Sequence, residues 1–224
     1  MTGKGLTIAI DGVIGAGKST AARGAAAALG YRHLDTGAMY RAVALAAARG
    51  GVEPGAPALG AFLEGLSLEF PAGRGGGIHL GGEDVSEAIR SPEVSRSVGA
   101  FADDPVVRRV LVRRQREIGR CGGVVAEGRD MSTVVFPHAD LKVRMVADLE
   151  ERARRRHREF LAAGVEISLS RVRADIRRRD REDAERDYGV EGGAPEDAVE
   201  VDTSGLTADQ VVDRILALAR KRGA

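Results

Sequence analysis

The sequence has one cysteine, no tryptophan and few aromatic residues, and it lacks long apolar runs. Each scarcity narrows the class of protein. A lone thiol, Cys121, excludes an intrachain disulfide and is typical of a reducing compartment. No stretch approaches the roughly 18 consecutive apolar residues of a membrane helix, and the first residues lack an apolar signal core. We therefore expect a cytoplasmic protein with no membrane partner.

Net charge is also nearly absent. The 34 basic and 33 acidic residues leave a formal charge of +1, which argues against nucleic acid as a partner. The basic stretch 152–158 is typical of a nucleic-acid patch, but it carries no interleaved aromatic residues, which again argues against nucleic acid. We expect most arginines to be solvated surface charge, among them Arg154, Arg158, Arg173 and Arg177. Since 43% of the residues are hydrophobic, 224 residues can bury a sizeable core. No exposed apolar face stands out, which favours a monomer.

The most informative stretch begins at Leu6. Apolar residues alternate with small ones up to Ile10, which predicts a buried strand. The next residues match G-x-x-x-x-G-K-[ST], a loop whose glycines let backbone N–H groups turn inward around phosphates. In that pattern the lysine reaches the outer phosphates of ATP and the serine hydroxyl ligates Mg²⁺. The expected ATP-binding residues are Gly12, Gly15, Ala16, Gly17, Lys18, Ser19 and Thr20, with Ser19 as the metal ligand.

Predicted strands and helices alternate along the rest of the chain, which indicates an α/β fold with a doubly wound parallel sheet. The stretch 67–85 differs and predicts two short strands around a glycine-rich turn. Thr207 and Gln210 form a capping box for the last helix. In such a fold the functional groups lie at the carboxyl ends of the strands.

Polar groups follow two further predicted strands. Thr36 begins a segment that also carries Tyr40 and Arg41, and the residues 127–130 follow a buried VVA strand. Burying a charged Arg129–Asp130 pair at that point costs free energy unless the pair contacts a ligand or another partner. A third group, Arg179, Asp183 and Arg186, has the spacing of one helix face.

Several of these strings together resemble the bacterial cytidylate kinase family. They are DTGAMYRAV, RVLVRRQR, AEGRDMSTVVFPHADLKV, RRRDRED and VDTS, in this order. The resemblance implies a P-loop nucleoside monophosphate kinase: one kinase domain over 1–224, with a β-containing monophosphate-binding insertion and a helical lid. It places the core at 1–37, 103–150 and 195–224, the monophosphate-binding part at about 38–102, and the lid at about 151–190.

The resemblance also implies a reaction, transfer of a phosphoryl group from ATP to CMP or dCMP. The catalytic residues that it implies are Lys18, Arg129 and Arg186. The substrate-binding residues that it implies are Thr36, Tyr40, Arg41, Arg108, Arg129, Asp130, Arg179, Asp183 and Arg186. Among these, Asp130 and Arg108 would recognise the cytosine edge, whereas the arginines 41, 129 and 186 would hold the acceptor phosphate. Gly99 stands where many relatives have a serine that contacts the base.

Two alternatives remain open on the residues. The first is another P-loop small-molecule kinase, acting on UMP or on a hydroxyl acceptor of the shikimate or gluconate type. The second is a nucleotide-binding switch that transfers no phosphoryl group to an acceptor. A nucleotide acceptor needs no general base, because its phosphate has a second pKa of about 6 and is largely ionised at neutral pH.

Overall fold

A computed structural model describes residues 5–70, 77–162, 164–185 and 195–224. The chain divides into two compact units, one formed by Met1–Tyr31 with Gly122–Ala224 and the other by Arg32–Cys121. The division into core, monophosphate-binding part and lid stays a prediction.

Strands and helices alternate through most of the described residues. In chain order they are β1 (Thr7–Gly12), α1 (Lys18–Leu29), β2 (Arg32–Asp35), α2 (Thr36–Gly50), α3 (Leu59–Gly65), β3 (Leu68–Glu69), β4 (His79–Leu80), β5 (Glu83–Asp84), α4 (Pro92–Asp103), α5 (Pro105–Gly119), β6 (Val124–Gly128), β7 (Leu141–Val146), α6 (Leu149–Ala162), α7 (Leu169–Glu185), β8 (Val199–Asp202) and α8 (Ala208–Arg220). Short helical turns cover Ala88–Arg90 and Met131–Val135.

The first unit is built on a parallel sheet whose strands lie in the order β6-β1-β7-β8. Asp11 of β1 pairs with Gly128 of β6, and Gly12 pairs with Met145 of β7. The carboxyl ends of these strands therefore meet at one edge of the sheet. The G-x-x-x-x-G-K-[ST] loop, residues 12–19 and called the phosphate loop below, follows β1 at that edge. The predicted α/β fold with a parallel sheet is confirmed.

Helices α1 and α8 share a core with this sheet. The packed face of α1 consists of alanines, which allows close approach, and α8 contributes larger apolar side chains. The predicted capping box of α8 is present, since Thr207 and Gln210 each accept the other's backbone N–H. The buried residues of this core are Leu6, Ile8, Ile10, Ala16, Ala21, Ala22, Ala25, Ala26, Val125, Leu141, Val143, Met145, Val201, Val211, Ile215, Leu216 and Ala219.

The second unit contains α2 to α5 and a small antiparallel sheet in the order β3-β4-β5. The prediction of two strands between 67 and 85 is wrong, because the described parts of this stretch, 67–70 and 77–85, form three. Gly81 and Gly82 both adopt positive φ, 59° and 84°, and make a tight turn between β4 and β5. Such a Gly-Gly turn suits a two-residue hairpin, which splits the predicted second strand in two.

Helices α6 and α7 pack on a separate cluster that includes Ile14 of the phosphate loop. Arg152 of α6 is only 7% exposed and makes a two-pronged ion pair with Asp180 of α7, at 3.0 and 2.9 Å. Its guanidinium also donates to the carbonyl oxygens of Ile14 at 3.1 Å and Ala147 at 3.0 Å. Arg152 is therefore an exception to the expectation that most arginines are solvated, and it ties both helices to the loop.

We predict that Arg152→Ala lowers the free energy of unfolding by about 3–5 kcal/mol, because it leaves the Asp180 carboxylate without its buried partner. Arg154→Ala, the matched change two residues along α6, should cost no more than about 1 kcal/mol, since Arg154 is 59% exposed and its 3.5 Å pair with Glu151 lies at the surface. Urea unfolding of both variants measures the difference. Equal losses would show that the Arg152 pair is not structural.

Candidate functional site

The phosphate loop owes its shape to three glycines with positive φ, Gly12, Gly15 and Gly17. Gly12 has a φ of 153°, and a Cβ there would overlap the carbonyl oxygen of Met145. Gly17 has a φ of 87° and is the residue from which α1 starts. Since larger residues avoid such backbone angles, the sequence G-x-x-x-x-G is a requirement of this turn. The predicted ligands Gly15 and Ala16 lie within the same loop.

Lys18 is folded back onto its own loop. Its Nζ donates to the carbonyl oxygens of Gly12 at 2.8 Å and Val13 at 3.0 Å. Burial lowers the pKa of Lys18 to about 7, and the positive charge of Arg129 acts in the same direction. Nearby carboxylates, Glu127 first among them, only partly oppose this shift. The ammonium group is therefore poised to gain stability from any anion that enters the loop.

Arg129 shares the Gly12 carbonyl oxygen with Lys18. One arm of its guanidinium donates to that oxygen at 2.9 Å, and the other lies 3.1 Å from the Asp183 carboxylate on α7. Three residues predicted from the sequence as site residues thus lie together in the first unit. The sequence led us to expect a ligand or a partner for the charged group after β6, and for Arg129 the Asp183 carboxylate is such a partner.

The hydroxyl of Ser19 donates to Glu127 Oε2 at 2.8 Å. Glu127 lies on β6 and is only 4% exposed. The sequence placed Glu127 at a strand end but assigned it no role. An acidic residue at the end of the strand beside β1 was the available signal, because the loop serine comes within reach of that position.

Asp11 is a second carboxylate that the sequence analysis missed. It is 9% exposed and accepts hydrogen bonds from the turn that follows β6. Asp130, which begins that turn, is buried at 4% exposed. Nothing local marks Asp11, because its partners lie about 120 residues further along the chain.

The other predicted residues of the first unit are placed as follows. Thr20 is exposed in the first turn of α1, and Arg179 is half-buried on α7. Burial, together with the neighbouring charges of Arg156 and Arg178, lowers the pKa of Arg179. Arg186 lies outside the described residues.

In the second unit, Thr36, Tyr40 and Arg41 all lie on α2, whose first turn is capped by the Asp35 side chain. Arg41 donates to the Ser95 hydroxyl on α4 at 3.2 Å. Arg108 is half-buried on α5.

Together, a parallel sheet, a glycine loop after its central strand β1 and a lysine at the start of α1 define a P-loop nucleotide-binding protein. The class can be narrowed by comparison with known families. The family model for cytidylate kinase matches residues 8–221, and the chain belongs to this family.

Curated relatives match over nearly the whole chain. The cytidylate kinase of Geobacter sulfurreducens is 47% identical, covering 98% of this chain and 94% of its own. That of Desulfitobacterium hafniense is 48% identical, covering 96% and 93%, and that of Anoxybacillus flavithermus is 43% identical, covering 98% of each.

The described residues contain no group of three or more His, Cys, Asp or Glu side chains that could hold a metal ion. None of the helices described is long and apolar enough to cross a membrane.

We predict that binding of Mg-ATP takes up close to one proton at pH 8 and much less at pH 6. At pH 8 the Lys18 amine is largely neutral in the free protein, because its pKa is about 7, and the phosphates favour its charged form. Titration calorimetry in two buffers of different ionisation enthalpy measures the uptake. No uptake at pH 8 would contradict the environment described for Lys18.

Proposed function

We propose that the protein transfers a phosphoryl group from ATP to CMP or dCMP and releases ADP with CDP or dCDP. The observation that carries the proposal is the membership of the cytidylate kinase family across residues 8–221. The convergence of Lys18 and Arg129 on one loop carbonyl supports it, because such a pair of cations suits two phosphate groups that must meet.

The chemistry needs positioning and charge neutralisation more than proton transfer. The acceptor phosphate is already ionised near pH 7, so no general base is required. Lys18 binds the outer phosphates of ATP, and Arg129 turns from Gly12 and Asp183 toward the acceptor phosphate. The two cations then stabilise the charge that develops on the transferred group during in-line displacement.

The residues present fit a magnesium ion. Mg²⁺ prefers oxygen ligands and keeps several waters, and Ser19 and Glu127 offer a hydroxyl and a carboxylate 2.8 Å apart beside the phosphate loop. Ser19 would bind the ion directly, whereas Glu127 would accept hydrogen bonds from its waters. When bound, the ion neutralises the charge on the phosphate groups of ATP.

Recognition of the acceptor is shared among the remaining predicted residues. Asp130 and Arg108 read the cytosine edge, with Thr36 and Tyr40 in the same group of substrate contacts. Arg41 holds the acceptor phosphate. Arg179 and Asp183 hold the ribose, and with Arg186 they belong to a lid that excludes water during transfer.

The proposal also covers the location and the oligomeric state of the enzyme. We place the enzyme in the cytoplasm and describe it as a monomer, as its sequence predicts.

The test is a panel of acceptors with Mg-ATP, comprising CMP, dCMP, UMP, dTMP, AMP and shikimate. We expect fast ADP formation only with CMP and dCMP, and the Lys18→Ala variant serves as the inactive control. Comparable rates with UMP would broaden the acceptor to pyrimidine monophosphates. Hydrolysis of ATP without any preference among acceptors would refute the proposal and favour a nucleotide-binding switch.

We further predict that Glu127→Gln raises the Mg²⁺ concentration needed for half-maximal activity by about tenfold or more, since neutralising the carboxylate weakens its hydrogen bonds to metal-bound water. Glu200→Gln, which neutralises an exposed acidic residue of β8, is the matched control and should leave the requirement unchanged. A magnesium titration of initial rates measures both. An unchanged requirement in Glu127→Gln would remove this residue from the metal site.

A further inference from the structure

Asp11 lies at the junction between the ATP loop and the turn that follows β6. It is the next-to-last residue of β1, immediately before Gly12, and it pairs in the sheet with Gly128, the last residue of β6. Beyond Gly128 the chain leaves the sheet. The side chain of Asp11 is therefore placed to meet the residues that come directly after β6.

Both oxygens of the Asp11 carboxylate are used by that turn. Oδ1 accepts from the backbone N–H of Met131 at 2.8 Å. Oδ2 accepts from the backbone N–H of Ser132 at 2.8 Å and from its hydroxyl at 2.5 Å. The carboxylate is buried, and hydrogen bonds to a charged group in such surroundings are stronger than neutral ones.

The turn held in this way is a wide one. The N–H of Phe136 donates to the carbonyl of Met131, five residues earlier, at 2.7 Å, and the N–H of Val135 donates to Asp130, again five residues earlier, at 3.1 Å. Wide turns of this kind are rare and occur frequently at functional sites. The two amides bound by Asp11 are the first two of this turn, so the carboxylate fixes where it begins.

Two proposed acceptor-binding residues lie between the end of β6 and these amides. They are Arg129 and Asp130, and the guanidinium of Arg129 donates to Gly12, the neighbour of Asp11. Asp11 thus holds the backbone that follows Arg129 and Asp130, and the Gly12 carbonyl holds the side chain of Arg129. No described hydrogen bond joins the Asp11 side chain to the phosphate loop itself.

We propose that Asp11 is a positioning residue for the acceptor nucleotide: it sets the backbone from which Arg129 and Asp130 reach the phosphate and the base. This inference rests on the proposed function of the site. Asp11 makes its hydrogen bonds to the turn, so its effect on the acceptor passes through the turn, while its charge also favours the charged form of Lys18. Loss of the Asp11 carboxylate should weaken binding of the acceptor far more than binding of ATP, because the phosphate loop keeps its own hydrogen bonds.

The direct test is Asp11→Asn, which keeps the size of the side chain. One carboxylate oxygen becomes an NH₂ group that faces a backbone N–H, so one of the two amides loses its acceptor. Hydrogen bonds to charged groups contribute more than neutral ones, and the KM for CMP should therefore rise by about tenfold or more. The KM for ATP should change by less than about threefold, because the hydrogen bonds of Lys18 and Ser19 are untouched and the Asp11 charge influences Lys18 less than burial, Arg129 and Glu127 do.

The matched control is Asp140→Asn. The Asp140 carboxylate accepts from the backbone N–H of Thr7 at 2.7 Å, at the opposite end of β1. It is the same chemical change at a carboxylate that contacts the same strand, away from the turn that follows β6. Both KM values of this variant should stay within about threefold of the wild type, since the lost hydrogen bond is solvent-exposed.

A second variant covers the case in which Asp11→Asn does not fold. Ser132→Ala removes the hydroxyl donor and leaves both backbone donors in place. The KM for CMP should then rise in the same direction, by about threefold to tenfold, as expected for one lost hydrogen bond. Hydrogen exchange at the amides of Met131 and Ser132 should speed up in each folded variant of Asp11 or Ser132, and remain unchanged in Asp140→Asn.

The outcomes separate the two proposals. Failure of the wild type to phosphorylate CMP refutes the proposed function, and exchange at the two amides still tests the hold of Asp11 on the turn. An active wild type overturns the inference in either of two cases: a folded Asp11→Asn variant raises both KM values equally, or both variants keep the wild-type KM for CMP. A selective rise in the KM for CMP with faster exchange supports it.

Discussion

Two cations converge on one carbonyl oxygen, and the chemistry of the site depends on that contact. Lys18 and Arg129 both donate to Gly12, at 2.8 and 2.9 Å, and their mutual repulsion contributes to the low pKa of Lys18. The arrangement holds because Asp183 pairs with Arg129, while Glu127 and Asp11 lie close enough to favour the charged lysine. Phosphate groups would relieve the same repulsion, so the site is organised for anions before any arrive.

The fold supplies this contact through neighbouring strands. Because β1 and β6 are parallel and in register, the phosphate loop after β1 and the turn that follows β6 leave the sheet side by side. Each is then fixed from a distance. Arg152 ties Ile14 of the loop to Asp180 of α7, and Asp11 ties β1 to the turn at Met131 and Ser132. The loop, the turn and helix α7 are thus connected through two buried charged groups, Arg152 and Asp11.

The sequence predicted the features that depend on local pattern. Alternating apolar residues identified β1, the loop spacing placed Lys18, and the capping box located α8. It missed what depends on distant partners. Arg152 lies in a run of arginines, and only the packing of α6 on α7 separates it from exposed Arg154. The roles of the substrate-binding residues stay predictions, because they concern a ligand and not the fold.

The most direct test of the account is the structure of the protein with CMP and a non-hydrolysable ATP analogue. We predict that Lys18 Nζ leaves the carbonyl oxygens of Gly12 and Val13 for the outer phosphates of the analogue, and that Arg129 contacts the phosphate of CMP. A complex in which both cations remain on Gly12, with the phosphates bound elsewhere, would contradict the claim that this carbonyl holds the phosphate-binding groups in readiness.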